Sequence, residues 1–345
     1  MKILYVCERD LQDKTGVSKK IVDQASLWKK LGHEVDLYSI YSHTWQTLDS
    51  FVSTASGEKY RYGVFGRGLN LKDALKEGDW DIVYLRYHFY VPFLKQALKR
   101  FKVVMEINAD DREEYDLSGR SFGVYNRATR NLVLDIPDGF VFVTEELRDR
   151  FKHEARSLVL GNGISVPDPL NIQNEGQRPK AAFIGTLKQP WQGTDILLKI
   201  AQQIPECDFH IIGGEGDSKA NIFYHGFMSE PEDLLSGCDV GFGTLAWIRK
   251  GLKDACTLKV REYLSLGLPV VYAYNEVDLS GEEPFALKLG HYEEDILSSI
   301  EEIKAFLHKA HMNNELRRQA HEFAKNNLDV SVKEKKRLEF MESLL

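Results

Sequence analysis

Cysteine is scarce in this chain of 345 residues, and the four that occur, Cys7, Cys207, Cys238 and Cys256, stand far apart with no Cys-x-x-Cys pair. That spacing argues against a disulfide framework and a thiolate zinc site, and it fits a reducing compartment, so a cytoplasmic protein is expected. Positive charge is not in surplus: 45 Lys and Arg stand against 52 Asp and Glu, a formal net charge of −7. A mainly electrostatic nucleic-acid binder concentrates cations against phosphates, so no nucleic-acid partner is expected and any basic patch must be local. Long apolar runs are missing as well. The first, Ile3-Leu4-Tyr5-Val6-Cys7, is closed by Glu8-Arg9-Asp10, too early for a signal-peptide core or a membrane span, and reads as the first strand of a fold.

What is present is an alternation of short apolar runs with amphipathic segments, on a chain long enough for two cores. Ile3 to Val6 is followed by a polar loop reaching Thr15-Gly16. Val17, Ile21, Ala25, Trp28 and Leu31 then recur at helical spacing, and Glu34 to Ile40 alternates like a strand. Further strands are expected at 82–85, 103–107 and 139–143, the pattern of an α/β, doubly wound parallel sheet covered on both faces. A polar interval from about Pro167 to Pro179 reads as the linker between domains. The alternation then restarts, with strands expected at 181–184, 208–212 and 240–243 and helices at 194–203 and 231–236. Later helices are expected at 293–308, at 314–326, and from about Ser331, where Leu338, Met341 and Leu345 form a stripe.

Ligands of doubly wound sheets settle beyond the carboxyl ends of the strands, so those loops carry the candidate chemistry. In the first half they hold Gly16, opening a helix; His88, which ends a strand as a catalytic or a rim residue; and the set Asn108-Ala109-Asp110-Asp111-Arg112-Glu113-Glu114. Asn108, Asp110 and Asp111 read as an acceptor-side wall, although a helix cap followed by acidic first-turn residues explains the aspartates better. In the second half the loops hold Gly185-Thr186-Leu187, Trp191-Gln192-Gly193, Gly213-Gly214-Glu215-Gly216, and Arg249-Lys250 ahead of Asp254. The run Thr257 to Val271 reads as a helix carrying Lys259 and Glu262, stopped by Gly267-Leu268-Pro269 and followed by a buried strand. A helix entered from a polar loop offers free backbone N–H groups to an anion. His308 and His311 share a helix face but have no third ligand nearby, so no metal is expected there. Lys95, Lys99, Arg100 and Lys102, and Lys333, Lys335, Lys336 and Arg337, form two basic clusters. They leave peripheral contact with an anionic inner membrane face open beside the reading of solvated helix faces.

With these pieces the chain resembles the GT-B glycosyltransferases, and within them the retaining glycosyltransferase family 4, over most of its length. The resemblance rests on Gly16, on Gly161-Asn162-Gly163-Ile164, on the glycine loops around Gly185, Gly193 and Gly213, and above all on Asp254 to Val271. It implies an α/β GT-B fold of two Rossmann-like domains facing a central cleft. Residues 1–165 would bind acceptor, residues 166–328 would bind the nucleotide-sugar donor, and the helix in 329–345 would return to the first domain. It further implies that Asp254 meets hydroxyls of the transferred sugar and that Glu262 meets the ribose. The donor diphosphate would lie against Ala255, Cys256, Thr257, Leu258 and Lys259, with Gly16, Gly185 and Thr186 also on the donor side. Thr186 and Gln192 stand where the family often has arginine and lysine, so Arg249 or Lys250 is expected to supply charge with Lys259. Asn108 stands in place of a family histidine. It can hydrogen-bond but cannot act as an acid or base near neutral pH, which a retaining mechanism tolerates if the donor phosphate takes the acceptor proton. Asp254 and Asn108 are thus the candidate catalytic residues. The resemblance implies no essential metal, and no cofactor beyond the nucleoside diphosphate sugar as co-substrate. The implied activity is sugar transfer to a sugar or glycolipid acceptor in polysaccharide or glycoconjugate synthesis. The alternatives are a non-catalytic sugar-nucleotide-binding protein and a GT-B epimerase or hydrolase of sugar nucleotides.

Overall fold

The computed structural model describes residues 1–9, 16–42, 44–46, 53–55, 63–117, 120–151, 153–173 and 176–345. They divide into two compact units, one of Met1–Gly161 with Lys333–Leu345 and one of Asn162–Val332.

In the first unit the apolar runs become β1 (Lys2–Cys7), β2 (Glu34–Ser39), β3 (Thr44–Gln46), β4 (Ser53–Ala55), β5 (Ile82–Arg86), β6 (Lys102–Ile107), β7 (Gly139–Phe142) and β8 (Arg156–Val159). They form one sheet in the order β4-β3-β2-β1-β5-β6-β7-β8. The stretch from β2 to β8 is parallel, and β3 and β4 add an antiparallel edge. β1 and β5 are buried almost throughout, which is why they read as unbroken apolar runs rather than as alternations. Register places Val6 beside Leu85 and Leu85 beside Met105. The loops after β1, β5 and β6 therefore emerge along one edge of the sheet. The Gly16–Lys30 helix buries Ile21, Ala25 and Trp28 at helical spacing, and the Trp28 ring packs on Tyr5 and Tyr84 at 5.6 and 5.2 Å.

The Val330–Glu342 helix delivers Lys333–Leu345 to this unit. Leu338 and Met341 are buried there, each contributing roughly 1.5–3 kcal/mol, whereas Leu345 is exposed, so the expected stripe ends at Met341. The second basic cluster is not a surface patch. Lys333 and Arg337 are buried, and Arg337 is paired with Glu334 at 2.9 Å and Glu106 at 3.2 Å, leaving Lys335 and Lys336 exposed.

The second unit contains β9 (Lys180–Ile184), β10 (Asp208–Ile212), β11 (Ile222–Tyr224), β12 (Val240–Phe242), β13 (Asp254–Ala255), β14 (Val270–Tyr272), β15 (Asn275–Glu276) and β16 (Ala286–Lys288). Its main sheet is parallel, in the order β11-β10-β9-β12-β14-β16, and β13 pairs with β15 apart from it. The interval 167–179 is no linker: its described residues belong to this unit. His321 Nε2 donates to the Pro167 carbonyl at 2.7 Å, Lys325 pairs with Asp168 at 2.5 Å, and Gln173 N–H donates to the Ser236 carbonyl at 3.3 Å. The division falls at Gly161/Asn162, ahead of the expected 165/166. The expected 293–308 helix is broken into Glu293–Ser298 and Ile300–Ala310. The hydroxyls of Ser298 and Ser299 both donate to the Asp295 carbonyl, at 2.8 and 3.0 Å, competing with the backbone ladder. Among the described residues no helix is long and apolar enough to cross a membrane, and no group of three or more His, Cys, Asp or Glu is placed to hold a metal ion.

Candidate functional site

In the second unit the carboxyl end of β9 is tied to the Leu258–Ser265 helix. The Ile184 N–H donates to the buried Tyr263 hydroxyl at 2.7 Å, so the Gly185 turn sits over the helix's first turn. A Cβ on Gly185 would lie 2.9 Å from Gln192 Oε1 and 3.1 Å from Lys259 Nζ. A Cβ on Gly213, whose φ is +106°, would meet the Gly185 carbonyl at 2.3 Å. Gly213 is thus demanded by close approach of backbone, whereas at Gly185 the near atoms are the ends of the Gln192 and Lys259 side chains, which places that turn beside Lys259. Lys259 Nζ donates to Gln192 Oε1 at 2.6 Å and lies 4.0 Å from the centre of the Phe183 ring. Burial pushes its ammonium down to about 7, with Glu262 pulling the other way.

Thr257 precedes the helix in an extended conformation but does not cap it. Its hydroxyl pairs with the Tyr274 hydroxyl at 2.6 Å, so the first-turn N–H groups have no side-chain cap. The turn before it is held from below. Asn162 N–H donates to Cys256 Sγ at 2.9 Å and Asn162 Nδ2 donates to the Cys256 carbonyl at 3.3 Å. Burial raises the Cys256 thiol to about 11, so it is no nucleophile near neutral pH. Fully buried Arg261 donates to the Asn162 carbonyl at 2.7 Å and to Glu276 Oε1 at 2.7 Å, and pairs also with Asp278. This clamp went unrecognised in the sequence, where Arg261 is one more helical cation. Ala255 is buried in the β13–β15 ladder beside Asp254, whose Oδ1 accepts from Asn275 Nδ2 at 2.9 Å. Glu262 is half-buried on the same helix as Lys259.

The structure therefore gathers Gly185, Gln192, Lys259 and the uncapped helix start. The expected compensating cations lie against the loop that carries Gln192, each engaged by neighbours. Arg249 is committed to Asp195 through two bonds of 2.9 and 2.8 Å and to the Pro190 carbonyl at 2.8 Å. Lys250 lies over the rings of Trp191 and Trp247 at 4.9 and 4.8 Å. Thr186 is exposed, and its carbonyl accepts from Gln189 N–H at 2.9 Å.

In the first unit the aligned strand ends enclose a cavity of about 580 Å³. Its walls include Glu8 and Arg9 after β1, Arg67, Arg86 at the end of β5 with Tyr87 to Phe89 after it, and Glu106 within β6 with Asn108 and Ala109 after it. Burial alone would raise the Glu106 carboxyl, but Lys20, Arg337 and Arg86 outweigh it and hold that carboxyl well below the usual range. Lys20 reaches Glu106 at 2.9 Å, Arg337 at 3.2 Å and Arg86 at 3.3 Å. Lys20 also donates to Asn108 Oδ1 at 3.1 Å, leaving buried Asn108 Nδ2 without a hydrogen-bond partner among the described residues. His88 is 2% exposed, and its Nδ1 lies 2.6 Å from the Phe89 carbonyl, which can only accept. Burial lowers the His88 pKa, so the ring is neutral with its proton on Nδ1, and Nε2 is a bare acceptor lacking a partner.

Gly16 is the exposed first residue of its helix, and the loop before it lies outside the described residues. Asp110 and Asp111 are not among the residues lining the cavity. Asp110 accepts from Arg112 N–H at 3.1 Å and pairs with Arg150 at 3.0 Å, while Asp111 receives Arg130 at 2.8 and 2.9 Å and Asn126 at 2.6 Å. Both are internal: the helix-cap reading holds for Asp110, and Asp111 anchors the following helix. Residues that the sequence did not single out, Glu8, Arg9, Arg67 and Arg86, replace them at the cavity. Position after a strand was the available signal for Glu8, Arg9 and Arg86; nothing marked Arg67.

No family model matches the sequence, and neither does any curated protein sequence. Solved structures do match in fold. Sucrose-phosphate synthase from Thermosynechococcus elongatus is 12% identical, with TM-score 0.72, covering 100% of this chain and 99% of that one. Anabaena HepE in complex with UDP and glucose is 14% identical, with TM-score 0.64 and coverage of 99% and 100%. An alpha-glucosyltransferase in complex with UDP and DNA is 15% identical, with TM-score 0.64 and coverage of 99% and 100%. The chain has the α/β GT-B fold of these glycosyltransferases. One of them was solved with DNA, so the exclusion of nucleic acid drawn from net charge finds no support in the fold.

Proposed function

We propose that this chain is a retaining glycosyltransferase of the family 4 kind, taking a sugar from a nucleoside diphosphate donor to a sugar or glycolipid acceptor. The observation that carries this reading is the convergence of Gly185, Gln192 and Lys259 on an uncapped helix start at the carboxyl end of the second unit's sheet. Such a place suits a diphosphate: first-turn N–H groups without a side-chain cap from Thr257 and one ammonium, with no carboxylate among the described residues hydrogen-bonded to that ammonium. Glu262 would hold the ribose and Asp254, oriented by Asn275, hydroxyls of the transferred sugar. The first unit's cavity would take the acceptor. In the transfer, the bond from anomeric carbon to phosphate oxygen breaks and the bond to the acceptor oxygen forms on the same face. The acceptor proton passes to the departing phosphate. The chain's part is to position both substrates and to stabilise charge on the leaving diphosphate, with no metal and no resident cofactor.

The test is a panel of UDP-, GDP- and ADP-sugars with sugar acceptors, followed by NMR of the anomeric configuration in the product. Turnover with retention that disappears in a folded Glu262→Ala variant supports the reading. Nucleotide binding with no turnover on any donor and acceptor would favour a non-catalytic binding protein, and an inverted product would remove the retaining assignment.

A further inference from the structure

Five cations stand around the floor and walls of the first unit's cavity, Arg9, Lys20, Arg67, Arg86 and Arg337, against three carboxylates, Glu8, Glu106 and Glu334, among the described residues. The carboxylates are already engaged. Glu106 receives Lys20, Arg86 and Arg337, Glu8 receives Arg86 at 3.2 Å, and Glu334 receives Arg337. The surplus falls on Arg9 and Arg67. Arg9 Nε lies 3.6 Å from a Glu8 oxygen that Arg86 already occupies, and it has no hydrogen-bond partner among the described residues. Arg67 rests on the Tyr41 and Phe89 rings at 5.0 and 5.8 Å, contacts that hold a guanidinium in place without neutralising it.

The same cavity holds three more buried polar atoms without hydrogen-bond partners among the described residues: the acceptors Glu8 Oε2 and His88 Nε2 and the donor Asn108 Nδ2. A buried polar atom that nothing meets carries its full desolvation cost, so a ligand supplying both donors and acceptors relieves a standing penalty. Hydroxyl groups do both. Aromatic walls from Tyr87, Phe89, Tyr115 and Phe122 complete a concave site within the size range of small-molecule pockets.

We propose that this cavity binds a sugar carrying an anionic group, a carboxylate or a phosphate, with Arg67 and Arg9 meeting the anion and His88, Glu8 and Asn108 meeting ring hydroxyls. That this sugar is the acceptor rests on the transfer reading; that it binds here does not. Isothermal titration of the full chain with glucuronic acid, glucose 6-phosphate, glucose, inorganic phosphate and a short single-stranded oligonucleotide tests the proposal. At least one anionic sugar is expected to bind about tenfold tighter than glucose and tighter than inorganic phosphate, and the tighter of the two identifies the anion. Arg67→Gln should weaken that sugar about tenfold while glucose and UDP stay within about twofold. Arg67→Lys should recover part of the loss, and Arg9→Gln serves should Arg67→Gln lower the unfolding temperature. The proposal is overturned if glucose binds as tightly as both anionic sugars, if neither binds, if inorganic phosphate matches glucose 6-phosphate with no tight glucuronate binding, or if the oligonucleotide binds in their place. Anionic-sugar binding without UDP binding or turnover would keep this site and sink the transfer reading, and turnover on neutral acceptors alone would do the reverse.

Discussion

The two units place polar chemistry at the carboxyl ends of their sheets by opposite means. In the second unit the backbone does most of it: glycine turns pressed together, an uncapped helix start, and one lysine whose side-chain hydrogen bond goes to a neutral amide. In the first unit side chains do it: a carboxylate buried under three cations, a locked histidine and arginines laid on aromatic rings. The contrast teaches that an anion site built from N–H groups can be compact in sequence, because the dipoles come with the helix. A site built from charged side chains needs counter-charges from distant segments to offset desolvation.

The largest effect that would break this comparison is expected at Glu106. Glu106→Ala strands Lys20, Arg86 and Arg337 in a buried place and should cost about 3–5 kcal/mol in urea unfolding; wild-type stability would show that the network is not what holds this unit. Because the folded-state Glu106 pKa is depressed, its contribution is complete above the unfolded value of about 4.3. It is lost as pH falls, so the gap between wild type and Glu106→Gln should close on acidification.

Next in size, Lys259→Ala should weaken UDP about ten- to a hundredfold by calorimetry, and an unchanged affinity would remove Lys259 from the donor site. A sharper form uses its titration. With its pKa near 7 in the free protein, the amine must take up a proton to meet a diphosphate at pH 8. UDP-glucose affinity should therefore decline as pH rises above 7, by up to about tenfold per unit, with proton uptake visible across buffers of different ionisation enthalpy. Lys259→Arg should flatten that profile. The smallest effect is expected at Arg249: already paired with Asp195 near the surface, it should leave UDP affinity within about twofold on replacement by Ala, and a larger loss would mean that this pair opens for the donor.

The same contrast governs how much was legible in the sequence. The helix at Lys259 and Glu262, the strand after it and the glycine loops are runs of neighbours whose residue types name their conformation, and the structure forms them there. Asp110 and Asp111 misled because adjacent acids look alike whether they face a ligand or an arginine, and only Arg130 and Arg150, from later helices, decided between the two. Arg249 misled similarly, being a loop cation in sequence and half of an ion pair in space. The terminal cluster around Arg337 read as solvated because nothing local reveals that its charge is answered by Glu106, far away along the chain.

By itself, then, the sequence determined the alternation of strands and helices, the doubly wound α/β class, the segments that become strand-end loops and the helix start proposed to meet a diphosphate. These follow from periodicity and from glycine and proline, which act within a few residues. Tertiary structure alone decided which charges remain available. A charge is available only after its partners are counted, and partners such as Glu106 with Arg337, or Arg249 with Asp195, meet through the folded sheet rather than along the chain. Burial then lowers the pKa of Lys259 and of His88, because the cost of a charge depends on what surrounds it and not on the residue that bears it.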